Sequence, residues 1–344
     1  MHNGAVKSMR RVVNAADVAR HAGVAISTVS NVLNHPERVR DATLHRVQAS
    51  IDALGFVRND AARQVRLGSS QVLGMILVDS SLPFYWQLAN AIEEAASGRG
   101  YSVLVANTNQ SADRQRRNVH LFESQRTEGV LATPIGNSVE EFELLRRRGT
   151  PDVLIDYPIP VADLSVVRVD HFAGGEAAAA HLLGLGRRRL GVLRGPSGFP
   201  QIDERYRGAA AAVDAARTGA MEWIPVDSLG LEAGYHAAQL IAGLEPEIRP
   251  DAVFAPNDIA ATGLIQRLVE LGFDVPRDIA VVGYDDAVYP AAIGVSLTTV
   301  RQPTEDLGRA AIELLFEQLD DPDATPRTVD FVPQLVPRAS TGSS

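Results

Sequence analysis

The chain has 344 residues, more than one ordinary domain needs, so its length predicts a small domain joined to a large or two-lobed one. It contains no cysteine, which excludes disulfides, thiolate metal ligands and cysteine nucleophiles, and it contains no apolar stretch as long as a membrane span. We therefore expect a cytoplasmic protein with no membrane partner. The net charge is −9, yet residues 1–70 hold ten basic residues against five acidic ones. This N-terminal head therefore carries a net charge of +5, and the rest of the chain, the body, carries −14. This distribution predicts that the head binds phosphates.

Short helices are predicted throughout this basic head. Asn14 can cap the first helix, and Asp17 three residues later completes a capping box. Gly23 predicts a turn with positive φ, which separates the first helix from a second over 25–34. A third helix over 42–54 is predicted to end at Gly55. Two short helices around a tight glycine turn indicate a helix-turn-helix.

Three segments of the head carry a family resemblance. They are Asp-Val-Ala-Arg-His-Ala-Gly-Val at 17–24, Ser-Thr-Val-Ser-Asn-Val-Leu-Asn at 27–34 and Leu-Gly-Phe-Val-Arg-Asn at 54–59. In this order they closely resemble the headpiece of the LacI/GalR family of bacterial repressors, and the resemblance continues over nearly all of the chain. It implies an all-α DNA-binding headpiece at 1–58, a hinge helix or linker at 59–70, and an effector-binding and dimerisation domain at 71–340.

The resemblance implies three kinds of DNA contact. The positions that would meet base edges in the major groove are Ile26, Ser27 and Asn31. The positions that would meet phosphates are Thr28, Ser30 and Asn34. The positions in the hinge, which would place an apolar wedge in the minor groove, are Asn59, Val65 and Arg66.

The head departs from the family pattern at three of these places. Ala25 stands where the family has a capping serine, which should cost about 1 kcal/mol of helix stability. Ile26 can offer a base only an apolar contact. Val65 replaces the usual leucine wedge and reaches less far. The operator sequence therefore does not follow from the resemblance.

From Gln71 onward, short apolar strands alternate with amphipathic helices. Strands are predicted over 72–78, 102–107, 129–133, 153–156, 190–194, 252–255 and 279–283. Helices are predicted over 86–99, 114–125, 138–148, 174–185, 206–217, 259–271 and 307–319. This alternation predicts an α/β body with two parallel sheets covered by helices on both faces. Such sheets bind ligands beyond the carboxyl ends of their strands.

The resemblance implies that this body is bilobed, like the periplasmic sugar-binding proteins. The first lobe would comprise about 71–168 and 302–328, and the second about 170–298 and 331–340. The crossing segments would lie near 168–170, 298–302 and 328–331. The family forms dimers through the flanks of both lobes, with the helix over 84–94 contributing. We expect a homodimer, since a tetramerising tail is not seen after Pro337.

Strand ends and the loops after them supply the candidate effector site. Carried over from the family pattern, its residues are Ser80, Phe84, Tyr85, Asp156, Arg205, Asn257 and Asp285. Phe84 and Tyr85 would form walls, and Arg205 would grip ligand oxygens. Leu229 occupies the position at which many relatives have a stacking aromatic ring, so a flat ligand would lean on Phe84 or Tyr85 instead.

Other functional classes fit the sequence less well. No dinucleotide-binding, P-loop or nucleophile-elbow motif is present, and the eight histidines show no i, i+4 pair. We therefore expect no enzyme activity, catalytic residue, metal or cofactor. A secreted solute-binding protein would have a signal peptide where this chain has its basic head. The resemblance implies a repressor of a sugar-utilisation operon, released from a pseudo-palindromic operator by a sugar or sugar derivative, and a purine-type corepressor remains the alternative.

Overall fold

The computed structural model describes residues 13–56, 69–136, 139–159, 161–217, 219–287 and 294–342. The chain divides into two compact units, residues 1–70 and 71–344. The predicted boundary at 58/59 and the hinge residues Asn59, Val65 and Arg66 lie outside the described residues, so these stay predictions.

The first unit is a small bundle of helices, namely α1 (Ala15–Ala22), α2 (Ile26–Asn34) and α3 (Asp41–Leu54). Asn14 and Asp17 form the predicted capping box at the start of α1. Gly23 (φ 63°) and Gly55 (φ 59°) end α1 and α3 in the left-handed region, which glycine adopts without steric cost. The buried core consists of Val18, Ala19, Ala22, Val29, Val32 and Val47. The helix-turn-helix prediction is confirmed.

The first lobe of the second unit is built on a parallel sheet. Its strands are β1 (Val72–Leu77), β2 (Ser102–Asn107), β3 (Gly129–Ala132), β4 (Asp152–Ile155), β5 (Ser165–Val169) and β11 (Thr328–Phe331), in the order β11-β5-β4-β3-β1-β2. Its helices are α4 (Pro83–Ser97), α5 (Ala112–Gln125), α6 (Glu140–Arg147) and α11 (Thr304–Asp320).

The second lobe repeats the plan around a smaller parallel sheet. Its strands are β6 (Arg189–Arg194), β7 (Ala220–Pro225), β8 (Ala252–Phe254) and β9 (Ala280–Val282), in the order β7-β6-β8-β9. Its helices are α7 (His171–Gly184), α8 (Pro200–Ala216), α9 (Leu231–Ala242) and α10 (Asp258–Glu270). The short antiparallel pair β10 (Thr299–Arg301) and β12 (Gln334–Val336) lies on the crossing segments.

Glycines set how closely the second-lobe helices approach one another. A Cβ on Gly175 of α7 would lie 1.9 Å from the carbonyl oxygen of Arg205, and a Cβ on Gly208 of α8 would lie 1.9 Å from that of Phe172. Only glycine permits this separation, because any side chain there would overlap the facing backbone. The contact brings Arg205 against the first turns of α7.

The body departs from the predicted elements in several places. Residues 168–169 and 328–331, expected at crossings, belong to the paired strands β5 and β11 of the first lobe. Strand β7 and helix α9 were not predicted; β7 is an edge strand with several exposed residues, so its sequence lacks a continuous apolar run. Proline at the first helical position starts α4 at Pro83 and α8 at Pro200. Phe84, Tyr85 and Arg205 are consequently helical residues and not loop residues.

Among the described residues, none of the helices combines the length and apolar character needed to cross a bilayer.

Candidate DNA surface and effector cavity

Helix α2 presents a polar face with one apolar side chain to solvent. Ile26 at its first position is 56% exposed, and Ser27 and Asn31 are exposed beside it. The opposite face packs into the bundle through Val29 and Val32. The three side chains predicted to meet base edges therefore lie together on the outer face of the helix.

The side chains predicted to meet phosphates are half-buried at the margin of this face. They are Thr28, Ser30 and Asn34. The amide Nδ2 of Asn34 donates to the carbonyl oxygen of Ser30 at 2.7 Å and lies 3.2 Å from its hydroxyl. At the other end of α2, Ala25 has the extended backbone of an N-cap (φ −68°, ψ 151°) but makes no side-chain capping bond. The loss of the cap expected from the sequence is therefore present in the structure.

A small cavity collects most of the predicted effector residues. Its volume is about 30 Å³, enough for about two water molecules. The cavity is lined by Leu82, Phe84, Tyr85, Asp156, Phe199, Gln201, Ile202, Arg205, Leu229, Asn257 and Asp285. First-lobe residues supply one side and second-lobe residues the other. A sugar ring is larger than this space, so its binding requires the lining residues to move apart.

Arg205 is held at the cavity by partners on three sides. Its Nη1 donates to the carbonyl oxygen of Pro256 at 2.6 Å and lies 3.7 Å from Oδ1 of Asp285. The guanidinium carbon stacks 3.7 Å from the ring centre of Tyr284. Only 4% of the residue is exposed. The guanidinium is thus oriented before any ligand arrives.

Two buried acidic residues line the cavity together with Arg205, and both have left-handed backbone. Asp156 has φ 57° and Asp285 has φ 111°, a region that costs a residue with a side chain free energy and recurs at binding sites. Asp285 Oδ1 accepts a hydrogen bond of 2.7 Å from Gln302 Nε2. Burial raises the pKa of Asp285 to about 7, although Arg205 opposes that rise. Asp156 Oδ1 lies 2.6 Å from His171 Nε2.

Asn257 and the aromatic walls also have partners of their own. Asn257 caps α10 by accepting from the Ala260 amide at 2.9 Å, and its Nδ2 donates to the Leu229 carbonyl at 3.0 Å. The rings of Phe84 and Tyr85 meet edge to face at 5.2 Å, and burial raises the pKa of Tyr85. Leu229, at the position where the resemblance predicted that a stacking aromatic ring is missing, is buried in the cavity wall.

Ser80 is the one predicted effector residue that the structure does not bring to the cavity. Its hydroxyl accepts from Nδ2 of Asn107 at 2.8 Å, and its carbonyl accepts from the indole of Trp86 at 2.6 Å. These bonds fasten Ser80 to the end of β2 and to α4. The turn after β1 directs Ser80 to the neighbouring strand, so its role at the effector site stays a prediction without support from the lining of this cavity.

Sequence reasoning missed several residues in and behind the cavity. Leu82, Phe199, Gln201 and Ile202 line it, and all fall in strand-end segments that the sequence did single out. Behind it, Asp258 accepts from Thr299 Oγ1 at 2.6 Å, and burial raises the pKa of its carboxyl. His171 also lies there, and it escaped notice because its partners are far from it in sequence.

A helix-turn-helix unit and a two-lobed unit with a polar cavity between its lobes define the class of ligand-responsive, DNA-binding transcriptional regulators. Residues 15–59 match the family model described as bacterial regulatory proteins, lacI family, and residues 179–341 match that of a periplasmic binding protein-like domain. The transcriptional repressor PurR of Mannheimia succiniciproducens is 32% identical over 326 residues, 94% of this chain and 97% of that protein. The chain belongs to the lacI family of bacterial regulatory proteins.

Other relatives and solved structures cover the chain equally well. The ribose operon repressor of Escherichia coli K12 is 31% identical over 94% of this chain and 98% of that protein. The lac repressor dimer bound to operator and the anti-inducer ONPF superposes with a TM-score of 0.78, at 25% identity over 96% of this chain and 99% of that one. The CelR–cellobiose complex superposes with a TM-score of 0.70, at 27% identity over 95% and 99%.

Proposed function

We propose that this chain is a homodimeric repressor of a sugar-utilisation operon, acting in the cytoplasm. Its α2 helices read a pseudo-palindromic operator, and a neutral sugar or sugar derivative bound in the cavity releases it. The bases are met by Ile26, Ser27 and Asn31, and the phosphates by Thr28, Ser30 and Asn34. The hinge residues Asn59, Val65 and Arg66 complete the proposed DNA contact. The protein works by binding alone, without catalysis.

The polar lining of the cavity is the observation that carries the effector class. Asp156 and Asp285 are acceptors for ligand hydroxyls, Arg205 is a donor, and Asn257 and Gln201 can be both. Two acidic side chains beside one guanidinium disfavour a phosphate or carboxylate on the ligand, because an added anion would compete with Asp285, whose pKa is about 7, for Arg205. A neutral polyol matches this set. The relatives named for a ribose operon and for cellobiose support the same class.

The similarity to PurR supports a purine-type corepressor as the second candidate. A purine needs a flat apolar slot for its ring. Leu229 provides no aromatic face, and the rings of Phe84 and Tyr85 meet edge to face, so these two do not form a parallel pair between which a base could stack. The cavity therefore favours a sugar over a purine.

Thermal unfolding against a panel of neutral sugars, sugar phosphates and purines tests this proposal. A ligand at 100 times its dissociation constant adds about 2.7 kcal/mol to the free energy of unfolding, so Tm rises measurably. We expect a neutral sugar to raise Tm, and Arg205→Ala to abolish the rise. Arg207→Ala is the matched control, since Arg207 lies on the same helix, 67% exposed and paired with Glu204.

The panel also decides between the candidates. A hit confined to purines would replace the sugar proposal with the corepressor one. A sugar hit that Arg205→Ala leaves unchanged would place the effector site elsewhere.

A further inference from the structure

A chain of hydrogen bonds joins the two lobes behind the cavity. Asp156 follows β4 in the first lobe, and its Oδ1 lies 2.6 Å from Nε2 of His171, the first residue of α7 in the second lobe. Nδ1 of the same ring receives a hydrogen bond of 3.3 Å from Nε of Arg205. The side chains of His171 and Asp156 are each 1% exposed. His171 itself does not line the cavity, but its imidazole contacts two residues that do.

The donors and acceptors determine the state of this imidazole. An arginine can only donate, so Nδ1 of His171 must accept and carries no proton. The hydroxyl of Tyr284, 3.1 Å from Nδ1, can donate to the same lone pair. Nε2 then carries the proton and donates it to Asp156. A proton on Nδ1 would face the donor of Arg205, so the doubly protonated ring does not fit this site.

The charged groups around the ring favour the same state. Asp156 faces it from the first lobe, Arg205 from α8, Tyr284 from the segment after β9, and Asp170 from its own helix start. Burial lowers the pKa of His171, Arg205 lowers it further, and Asp156 opposes both. The ring is therefore neutral at pH 7, and its short bond to Asp156 is a hydrogen bond to a carboxylate rather than a full ion pair.

We infer that His171 is a positioning residue of the effector site: as a neutral imidazole protonated on Nε2, it fastens Asp156 of the first lobe to Arg205 of the second. It thereby sets the separation of two groups from opposite lobes that meet the effector. Opening the cavity to admit a sugar changes this separation, so the imidazole link is one of the contacts through which ligand and lobe angle are coupled. The role of the site rests on the proposed function, whereas the link between the lobes requires no ligand.

Two substitutions of His171 each remove one of its two hydrogen bonds and keep the other. His171→Gln places an amide nitrogen near the position of Nε2, so it keeps the donor for Asp156 and loses the acceptor for Arg205. His171→Asn places an amide oxygen near Nδ1, so it keeps the acceptor and loses the donor. His181→Asn is the matched control on the same helix, where the imidazole bonds to Thr341 Oγ1 at 2.9 Å.

Long-range ¹⁵N–¹H NMR of the full-length protein with ¹⁵N-labelled histidine, and no ligand added, gives the first readout. We expect one imidazole signal in the Nε2–H form that does not titrate between pH 5.5 and 8. It is absent from both His171 variants and present in His181→Asn. A His171 ring that titrates near its ordinary pKa of about 6.5, or that carries its proton on Nδ1, overturns the inference.

The side-chain Nε–H signal of Arg205, identified by its loss in Arg205→Lys, gives the second readout. We expect it to exchange with solvent at least tenfold faster in His171→Gln than in the wild type and His171→Asn. Equal protection in all three contradicts the positioning role. If His171→Gln does not fold, the tautomer and the titration of His171 in the wild type still test the inference. Neither readout uses a sugar. A ligand panel without a hit would therefore count against the proposed function, whereas a negative NMR result would count against the role of His171.

Discussion

Most buried polar side chains of the described residues have hydrogen-bond partners, and Asp152 is the clearest exception. It is the first residue of β4 and is fully buried, and neither carboxylate oxygen has a hydrogen-bond partner among the described residues. Burial raises its pKa to about 8, so the native state holds a proton that the unfolded state releases above about pH 4. Between these values the native state binds more protons, and this group makes stability fall as pH rises. Asp285 and the other cavity groups, by contrast, have partners.

Asp152→Asn removes this titration while keeping the side-chain size. We expect the free energy of unfolding of the variant, relative to the wild type, to rise by about 1 kcal/mol for each pH unit between pH 5 and 7. Denaturant unfolding at pH 5, 6 and 7 measures it, and taking the difference cancels the titration of the other groups. Asp163→Asn, at an exposed position of the same lobe, is the control. A pH-independent difference would show that Asp152 titrates in its ordinary range.

At the scale of elements, the helices differ in how their first turns are capped. Asn14 caps α1 and Asn257 caps α10, each with a side-chain oxygen on a first-turn amide. Helix α2, the proposed DNA-reading helix, has Ala25 as its N-cap residue and lacks such a bond. Its position is held instead by the packing of Val29 and Val32 against the bundle. The helix that would enter the major groove therefore has weaker local support in its first turn than α1.

Ala25→Ser supplies the missing cap on a backbone that already has the extended conformation required. We expect it to stabilise the first turn of α2 by about 1 kcal/mol, and the amides of that turn to exchange with solvent about fivefold more slowly. Hydrogen exchange on the full-length chain measures this locally. Ala42→Ser, the same change at an exposed position inside the first turn of α3, should give no slowing. Equal effects at both positions would rule out capping as the cause.

At the scale of the whole molecule, apolar side chains are exposed at sheet edges. Leu104 and Val105 of β2 are 45% and 46% exposed, and nearby Trp86 of α4 is 50% exposed. Strand β7, the edge of the second-lobe sheet, exposes 40% of Trp223. Exposed edge strands of this kind are usually covered by a partner. We interpret them as the flanks through which a second copy completes the proposed homodimer.

Leu104→Asp combined with Val105→Asp should dissociate this dimer, because burying two carboxylates without partners is costly. We expect sedimentation to show a monomer of half the mass. Affinity for a two-half-site operator should fall by at least 100-fold, since one headpiece reaches only one half-site. Leu185→Asp, at a leucine 46% exposed on the end of α7, should leave both unchanged. A double variant that stays dimeric would exclude β2 from the interface.

The sequence by itself determined the features that depend on neighbouring residues. The capping box at Asn14, the glycine turn at Gly23, strand β2 and the alternation of strands and helices all follow from local periodicity and side-chain chemistry. The family resemblance further placed six of seven candidate effector residues in segments that line one cavity.

Only the tertiary structure decided how distant residues pair. Strands β5 and β11 exist because each completes a ladder with a strand far away in the chain. Ser80 bonds to Asn107 instead of lining the cavity. His171 bonds to Asp156, which is 15 residues away in sequence, and to Arg205, which is 34 residues away. The periodicity of a sequence predicts which face of a helix or strand is buried, but not which other element packs against that face. The packing of elements determines which side chains come close enough to form hydrogen bonds.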